Sequence, residues 1–124
     1  MMERKSGCIV NVASIGGFKG GAAGVAYTAS KHAIIGYTRN VAWTYQAEGI
    51  RCNAVCPGSV ETNIGVTAAP RAEWDLARLT KIHATAGRTA KPDEVAALIS
   101  WLASAEASNV NGAIITADNG WSAG

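Results

Sequence analysis

Apolar residues in this sequence come in short continuous runs, separated by longer stretches with helical spacing. The first run, Cys8 to Ala13, is rich in β-branched residues and shows little alternation between apolar and polar positions. A strand covered on both faces has this pattern, because neither face meets water. A second run of the same kind, "IRCNAVCPG", ends at Pro57 and Gly58. A third and shorter one, "AIITA", follows the turn signal Asn111-Gly112.

The stretches between these runs predict helices. No proline interrupts Ala26 to about Glu48, and Gly49 supplies a stop, so we expect one long helix there. Its apolar residues fall on two adjoining faces, which predicts packing against two neighbours. The first face carries Ile34, Tyr37 and Val41, and the second carries Ile35, Ala42 and Tyr45.

A second clear helix begins at Pro92, where Asp93 and Glu94 complement the positive end of the helix dipole. Its apolar face is formed by Val95, Leu98, Ile99 and Leu102. Between the second strand and this helix, residues 59–90 are mixed, with a helix predicted around Arg71 to His83. We expect this excursion to cover a pocket.

Strands that alternate with helices define the α/β class with a parallel sheet, and right-handed crossovers are the default connection. The 124 residues amount to one domain, with no repeat and no low-complexity linker. We therefore predict one compact unit, or a piece of a larger one.

Composition and charge exclude several classes of protein. A net charge of +2 and a charged fraction of 16% give no basic excess of the kind that binds nucleic acid or an anionic membrane. No window approaches the length of a membrane span, and the apolar run after the first basic residues is too short for a signal peptide. The cysteines Cys8, Cys52 and Cys56 form no Cys-x-x-Cys pair and lie near no histidine cluster, which predicts reduced thiols, no metal site and a cytoplasmic location.

The segment "SIGGFKGGAAGVAYTASK", residues 14–31, raises the question of a phosphate-binding loop. Its glycines fit neither the Gly-x-Gly-x-x-Gly fingerprint of dinucleotide sites nor the P-loop pattern. We therefore interpret them as a pliable bridge between two groups of chemical interest.

Those groups are Ser14 on one side and the pair Tyr27 and Lys31 on the other. Tyr27 and Lys31 are four residues apart and share one face of a helix, while Ser14 follows a strand at the edge where parallel sheets bind ligands. A phenol can give or take a proton, an ammonium beside it favours its ionised form, and a hydroxyl can hold a substrate oxygen. The set suits carbonyl chemistry, although a single Tyr-x-x-x-Lys match is weak evidence by itself.

Several separated motifs together resemble the short-chain dehydrogenase/reductase family. In order, they are "IVNVASIGG", Tyr27 and Lys31, "IRCNAVCPGSVET", "GR", "KPDEVAALISWLAS" and "NGAIITADNG". The resemblance extends from about Gly7 to the C-terminus. It implies the C-terminal half of a Rossmann-like doubly wound sheet, and an oxidoreductase that uses NAD or NADP to reduce a carbonyl or oxidise an alcohol.

The resemblance also assigns roles to single residues. Tyr27 would be the general acid/base, Lys31 would favour the ionised phenol and hold the nicotinamide ribose, and Ser14 would orient the substrate oxygen. Asn11 and Asn53 would be structural. The cofactor-binding set comprises Tyr27, Lys31, Pro57, Gly58, Val60 and Thr62.

The sequence departs from the family pattern in one respect. The family's glycine-rich phosphate loop and its earlier strands precede the matching region and are not in this chain, so the resemblance supplies a catalytic half-site. From this we expect marginal stability, self-association and little oxidoreductase activity, with subunit contacts through the long helix and the last helix and strand.

Two hypotheses in different classes follow from this departure. The first is an oxidoreductase sequence whose activity belongs to a longer protein, and the second is a non-enzymatic module that associates with intact relatives. Retention of Ser14, Tyr27 and Lys31 favours the first hypothesis, because an interaction module has no chemical need for all three.

The substrate is not specified by any charge pattern. The resemblance leaves a 3-oxoacyl thioester or a general alcohol or ketone as the leading classes, with a sugar or a sterol behind them. Phe18 and the segment from Ser59 to Ala86 would shape the pocket, and Trp74 is a candidate substrate contact. His32 and His83 are expected at the surface or in packing rather than in catalysis.

Overall fold

The computed structural model describes residues 1–65 and 72–124. Within them, three parallel strands form one sheet in the order β1-β2-β3. The strands are β1 (Gly7–Val12), β2 (Ile50–Pro57) and β3 (Ile114–Ala117). The α/β class with a parallel sheet is therefore confirmed.

In the same described residues, three α-helices connect and cover the strands, namely α1 (Val25–Thr44), α2 (Glu73–His83) and α3 (Pro92–Ala103). The predicted long helix is confirmed, except that its last turn tightens into a short 3-10 turn, Gln46–Glu48. Gly49 then ends it with φ of 68°, a left-handed conformation that favours glycine. The predicted start of α2, Arg71, lies outside the described residues.

Strand β2 forms the centre of the core because both of its faces are covered. On one face, Ala54 and Cys56 pack with Ile35 of α1. On the other, Val55 packs with Val95 and Leu102 of α3. Burial is therefore continuous from Cys52 to Cys56 and does not alternate, and the polar Asn53 in this stretch is buried with its neighbours.

The burial of α1 differs from the prediction. Tyr37 is 55% exposed, whereas the polar Thr38 is completely buried. Thr38 is tolerated there because its hydroxyl donates to the carbonyl of Ile34 at 2.8 Å and accepts from Nδ2 of Asn11 at 2.9 Å. In the described structure α1 therefore buries one face, against the sheet and the turn after β1, rather than two.

Two asparagines fix the turn that leads into β3. The buried Asn53 donates through Nδ2 to the carbonyl of Val110 at 2.8 Å, and its Oδ1 accepts from the backbone N–H of Ala113 at 2.9 Å. Asn111 accepts from the N–H of Cys52 at 2.9 Å and donates to the carbonyl of Ala42 at 3.1 Å. The structural role predicted for Asn53 is confirmed by these contacts.

The three cysteines are free thiols, and Cys52 and Cys56 are fully buried. Burial raises the pKa of both buried thiols, so they remain protonated at neutral pH. No helix in residues 1–65 or 72–124 has the length and apolar character needed to cross a membrane.

Candidate active site

The structure brings all of the predicted site residues to one pocket at the carboxyl end of the sheet. Ser14 lies just beyond β1, Tyr27 lies in the first turn of α1, and Lys31 follows one turn later. Together with residues after β2 they line a cavity of about 300 Å³. The predicted residues on its wall are Ser14, Tyr27, Lys31, Pro57, Gly58, Val60 and Thr62.

Ser14 and Tyr27 face each other across Gly16. The Ser14 hydroxyl oxygen accepts a hydrogen bond from the N–H of Gly16 at 3.1 Å, which orients it at the start of a short 3-10 turn. A Cβ on Gly16 would lie 3.5 Å from Oγ of Ser14 and 3.4 Å from Cε1 of Tyr27. The hydroxyl and the phenol ring therefore border the same small gap.

Lys31 is fixed beside the phenol by a backbone contact. Its Nζ donates to the carbonyl of Val12 at 3.0 Å, at the end of β1. The same nitrogen lies 5.4 Å from the centroid of the Tyr27 ring, within the range of a cation–π contact. The ammonium is thus held against the strand end by a solvent-exposed hydrogen bond.

The glycines of the loop between Ser14 and Tyr27 have different roles. Gly17 is buried, and a Cβ there would come within 2.6 Å of Cδ1 of Ile35 and 2.9 Å of the carbonyl of Lys31. A Cβ on Gly20 would meet nothing within 4 Å. The interpretation of the loop as a pliable bridge therefore fails for its first half, where glycine permits close packing against α1.

The loop after β2 is supported from two sides. The N–H of Gly58 donates to the carbonyl of Ala117 at 3.1 Å, and a Cβ on Gly58 would lie 2.9 Å from Cβ of Asp118. Val60 forms a bridge with Ala90, with hydrogen bonds from Ala90 N–H to the carbonyl of Ser59 at 2.9 Å and from Glu61 N–H to the carbonyl of Ala90 at 3.0 Å. Backbone contacts therefore hold this wall of the pocket in place.

The pocket combines an apolar lining with three polar groups, namely the hydroxyl of Ser14, the phenol of Tyr27 and the ammonium of Lys31. A volume of about 300 Å³ is at the small end of the roughly 300–1,000 Å³ range of ligand pockets. The apolar wall includes Val12, Ala13, Ile64, Val95, Ala96 and Ile99.

Several of these residues were not assigned to the site from the sequence. Val95 and Ile99 were expected only as core residues of α3, yet they also form pocket wall. Asp118 follows β3 and supports Gly58, and the "ADNG" turn gives no indication of that contact. Burial raises the pKa of the fully buried Cys56 thiol, and the backbone of Ser14 acts on that pKa in the opposite direction.

Two predicted substrate contacts lie away from this pocket. Trp74 is 70% exposed on α2 and is absent from the pocket wall. Phe18 lines a separate cavity of about 630 Å³, formed with Ser59, Arg88 and the segment after β3. Among the described residues, no three histidine, cysteine or acidic side chains come together as metal ligands.

Comparison with known proteins extends over almost the whole chain. A sequence profile of the family described as "Enoyl-(Acyl carrier protein) reductase" matches residues 1–122. The chain is similar to 3β-hydroxysteroid dehydrogenase 2 of Eggerthella lenta, with 48% identity over 98% of the chain and 47% of the relative. The chain thus spans about half the length of the relatives it matches.

Solved structures give the same result at the level of the fold. One from Agrobacterium tumefaciens, assigned as a 2-deoxy-D-gluconate 3-dehydrogenase and solved with NADP, is 36% identical, with a TM-score of 0.80 over 99% of this chain and 50% of that one. Another, 4-hydroxyisoleucine dehydrogenase complexed with NADH and succinate, is 33% identical, with a TM-score of 0.76 over 98% of this chain and 49% of that one.

Proposed function

The chain belongs to the short-chain dehydrogenase/reductase family, and from this we propose that its pocket is the catalytic half-site of an NAD- or NADP-dependent oxidoreductase. The substrate is a carbonyl compound or the corresponding alcohol. The observation that carries the proposal is the joint placement of Ser14, Tyr27 and Lys31 on one pocket wall.

The residues present fit the nicotinamide end of the cofactor. Lys31 would hold the ribose, Pro57, Gly58 and Val60 would line the ring, and the Thr62 hydroxyl would bond the carboxamide or a nearby phosphate. When bound, the nicotinamide supplies or accepts the hydride.

The chain's own residues handle the oxygen and the proton. Ser14 holds the substrate oxygen in the gap that it shares with Tyr27, and its hydroxyl is oriented for this by the N–H of Gly16. In reduction, Tyr27 gives its proton to that oxygen, and in oxidation it takes the proton away. Lys31 stabilises the negative charge that develops on the phenol oxygen, because the strand end keeps its ammonium beside the ring.

The substrate class follows from the relatives only in outline. We propose a 3-oxoacyl thioester or a general ketone, in keeping with a family description that names an acyl carrier protein and a relative named for a 3β-hydroxysteroid. The free thiols support a reducing compartment such as the cytoplasm.

A second candidate function is supported by the extent of the match. The chain corresponds to about half of its relatives, and β1 pairs on one side only among the described strands. A module that associates with intact relatives through α1, α3 and β3 is the alternative, and it predicts association without cofactor binding at Tyr27.

The test uses the chain itself with tyrosine labelled by ¹³C at Cζ. Tyr37, which is 55% exposed on the same helix, and Tyr45 serve as internal controls. If the proposal is right, NADPH or NADH shifts the Tyr27 signal and leaves the other two in place. Equal shifts of all three signals, or none, would contradict the proposal.

Turnover is the second readout, followed as nicotinamide absorbance with acetoacetyl-CoA and with cyclohexanone. We expect the chain alone to be slow. We also expect Tyr27→Phe to remove what turnover there is by about 10²–10⁴-fold, the usual effect of losing a general acid. Tyr37→Phe is the matched control and keeps the parent rate. If Tyr27→Phe turned over at the parent rate, the Tyr27 phenol could not be the general acid or base.

A further inference from the structure

A chain of contacts joins the segment after β3 to the loop that separates Ser14 from Tyr27. We propose that Trp121 is a positioning residue that, through the end of α2, fixes this loop and with it the spacing of the two site residues. The inference concerns the site of the proposed function and rests on it for its catalytic meaning. The contacts themselves do not depend on the proposed function.

The first contact in the chain holds Trp121 to the end of α2. Its indole Nε1–H donates to Oγ1 of Thr85 at 3.0 Å. The Thr85 hydroxyl in turn donates to the carbonyl of Ile82 at 2.7 Å. Because the hydroxyl proton is committed to Ile82, its oxygen is oriented to accept from the indole, and the two bonds fasten the last turn of α2.

The second contact passes from α2 to the site loop. The His83 ring meets Trp121 edge to face, with centroids 5.3 Å apart and an interplanar angle of 73°. Its Nε2 lies 3.0 Å from the carbonyl of Ala22, a buried residue of the loop. A carbonyl only accepts, so Nε2 carries a proton, and both the neutral ring and the cation satisfy this bond. A Cβ on the neighbouring Gly21 would lie 2.7 Å from Ile82, which shows how closely loop and helix approach.

Trp121 is itself placed by a tight turn. The Asp118 carboxylate accepts from the N–H of Gly120 at 3.1 Å and from the N–H of Ser122 at 2.8 Å. Gly120 has φ of 82°, which glycine adopts without strain. Asp118 also lies against Gly58, so one turn braces the cofactor side of the pocket directly and the Ser14–Tyr27 loop through Trp121.

The experiment removes the accepting hydroxyl without changing any ring. Thr85→Val deletes the acceptor, Thr85→Ser retains it, and Thr80→Val is the matched control. Thr80 lies in α2, one turn before its end, and its hydroxyl donates to the carbonyl of Leu76 within that helix. Amide hydrogen exchange of the full chain is followed at Ala22, Thr85 and Ala86, with Ala13 and Ala54 of the sheet as reference.

The expected result is confined to the loop and the helix end. In Thr85→Val, exchange at Ala22, Thr85 and Ala86 accelerates roughly two- to tenfold, the equilibrium equivalent of one net hydrogen bond. The reference amides stay unchanged, and so do all amides in Thr85→Ser and Thr80→Val. Trp121→Phe accelerates exchange at the same amides as Thr85→Val. The double variant exchanges more slowly than the product of the two single effects, because both variants remove the bond between the indole and the Thr85 hydroxyl, although each also changes one further contact, with Ile82 or with His83.

A site readout decides whether the contact reaches the catalytic pair. With ¹³C-tyrosine, Thr85→Val displaces the Tyr27 signal and leaves those of Tyr37 and Tyr45 unmoved. Where turnover is measurable, kcat/KM for the carbonyl substrate falls while the KM of NADPH stays within about twofold, because Gly58 and Asp118 are untouched.

Three results would overturn the proposal: uniform acceleration at the sheet amides, equal effects in Thr80→Val, or an unmoved Tyr27 signal. None of these readouts requires that the proposed function be correct. A chain that fails to bind NADPH but shows the confined exchange pattern would refute the function and leave the positioning contact standing.

Discussion

Gly58 lines the pocket just after β2, at a point where no side chain fits. It packs so closely on Asp118 that a Cβ would lie 2.9 Å from Cβ and 3.0 Å from Cα of that residue. One of these atoms is backbone and cannot turn aside as a flexible side chain would. Glycine is therefore required here by space, whereas at Gly20 the surroundings are open.

We predict that Gly58→Ala lowers the free energy of unfolding by about 1–3 kcal/mol, the usual cost of forcing extra volume into a packed site. The loop after β2 must move away from β3, so the response of the Tyr27 signal to NADPH should weaken as well. Urea denaturation and the NMR titration measure the two effects. Gly20→Ala is the matched control, and an equal loss in both variants would show that the contact with Asp118 is not the cause.

At the scale of elements, the start of α3 is held by one carboxylate. Glu94 accepts from Nη1 and Nη2 of Arg88 at 2.9 and 2.6 Å and from the backbone N–H of Lys91 at 2.8 Å. The Arg88 guanidinium, followed by the Lys91 N–H, lowers the pKa of Glu94 from its ordinary 4.5 to about 2. Helix α3 forms one wall of the pocket, so this contact also supports the site.

The lowered pKa gives a pH dependence with a definite sign. A carboxyl that is more acidic in the folded chain stabilises the fold above its unfolded pKa, and that contribution is lost as pH falls from about 4.5 through about 2. We expect the difference in unfolding free energy between the parent chain and Glu94→Gln to be present at pH 6 and to vanish near pH 2. The pair is exposed, so added salt should reduce the difference. A difference that is independent of pH would rule out the charge as its source.

At the scale of the whole molecule, the described sheet leaves apolar surface uncovered. Strand β1 is an edge strand, and its last residue, Val12, is 48% exposed. On α1, Trp43 is 75% exposed. An edge of unpaired backbone groups beside exposed apolar side chains favours association with another chain.

We therefore predict that the chain self-associates and melts over a broad range of temperature. Sedimentation velocity at several concentrations should show an average mass that rises with concentration. Trp43→Lys should reduce this association if the outer face of α1 takes part, whereas Leu76→Lys, on α2 and 54% exposed, is the matched control. A monomer at every concentration, with one sharp melting transition, would contradict the prediction.

Local patterns were sufficient for much of this fold. The apolar runs identify all three strands, and the proline and glycine signals mark the start of α3 and the end of α1. The face of α1 was predicted less well, because a threonine whose hydroxyl has two hydrogen-bond partners is as acceptable in the core as an apolar residue. The spacing of apolar residues along a helix does not show whether a threonine will find hydrogen-bond partners in the core.

The α/β class, the order of elements and the group Ser14, Tyr27 and Lys31 could be predicted from the sequence, because each depends on spacing along the chain or on motifs within short segments. Three contacts became visible only in the folded chain: Val95 and Ile99 form pocket wall, Gly58 packs on Asp118 and Trp121 reaches Thr85. These contacts join residues that are distant in sequence. They arise from the way the strands stack and the helices cover them, and no local pattern carries that information.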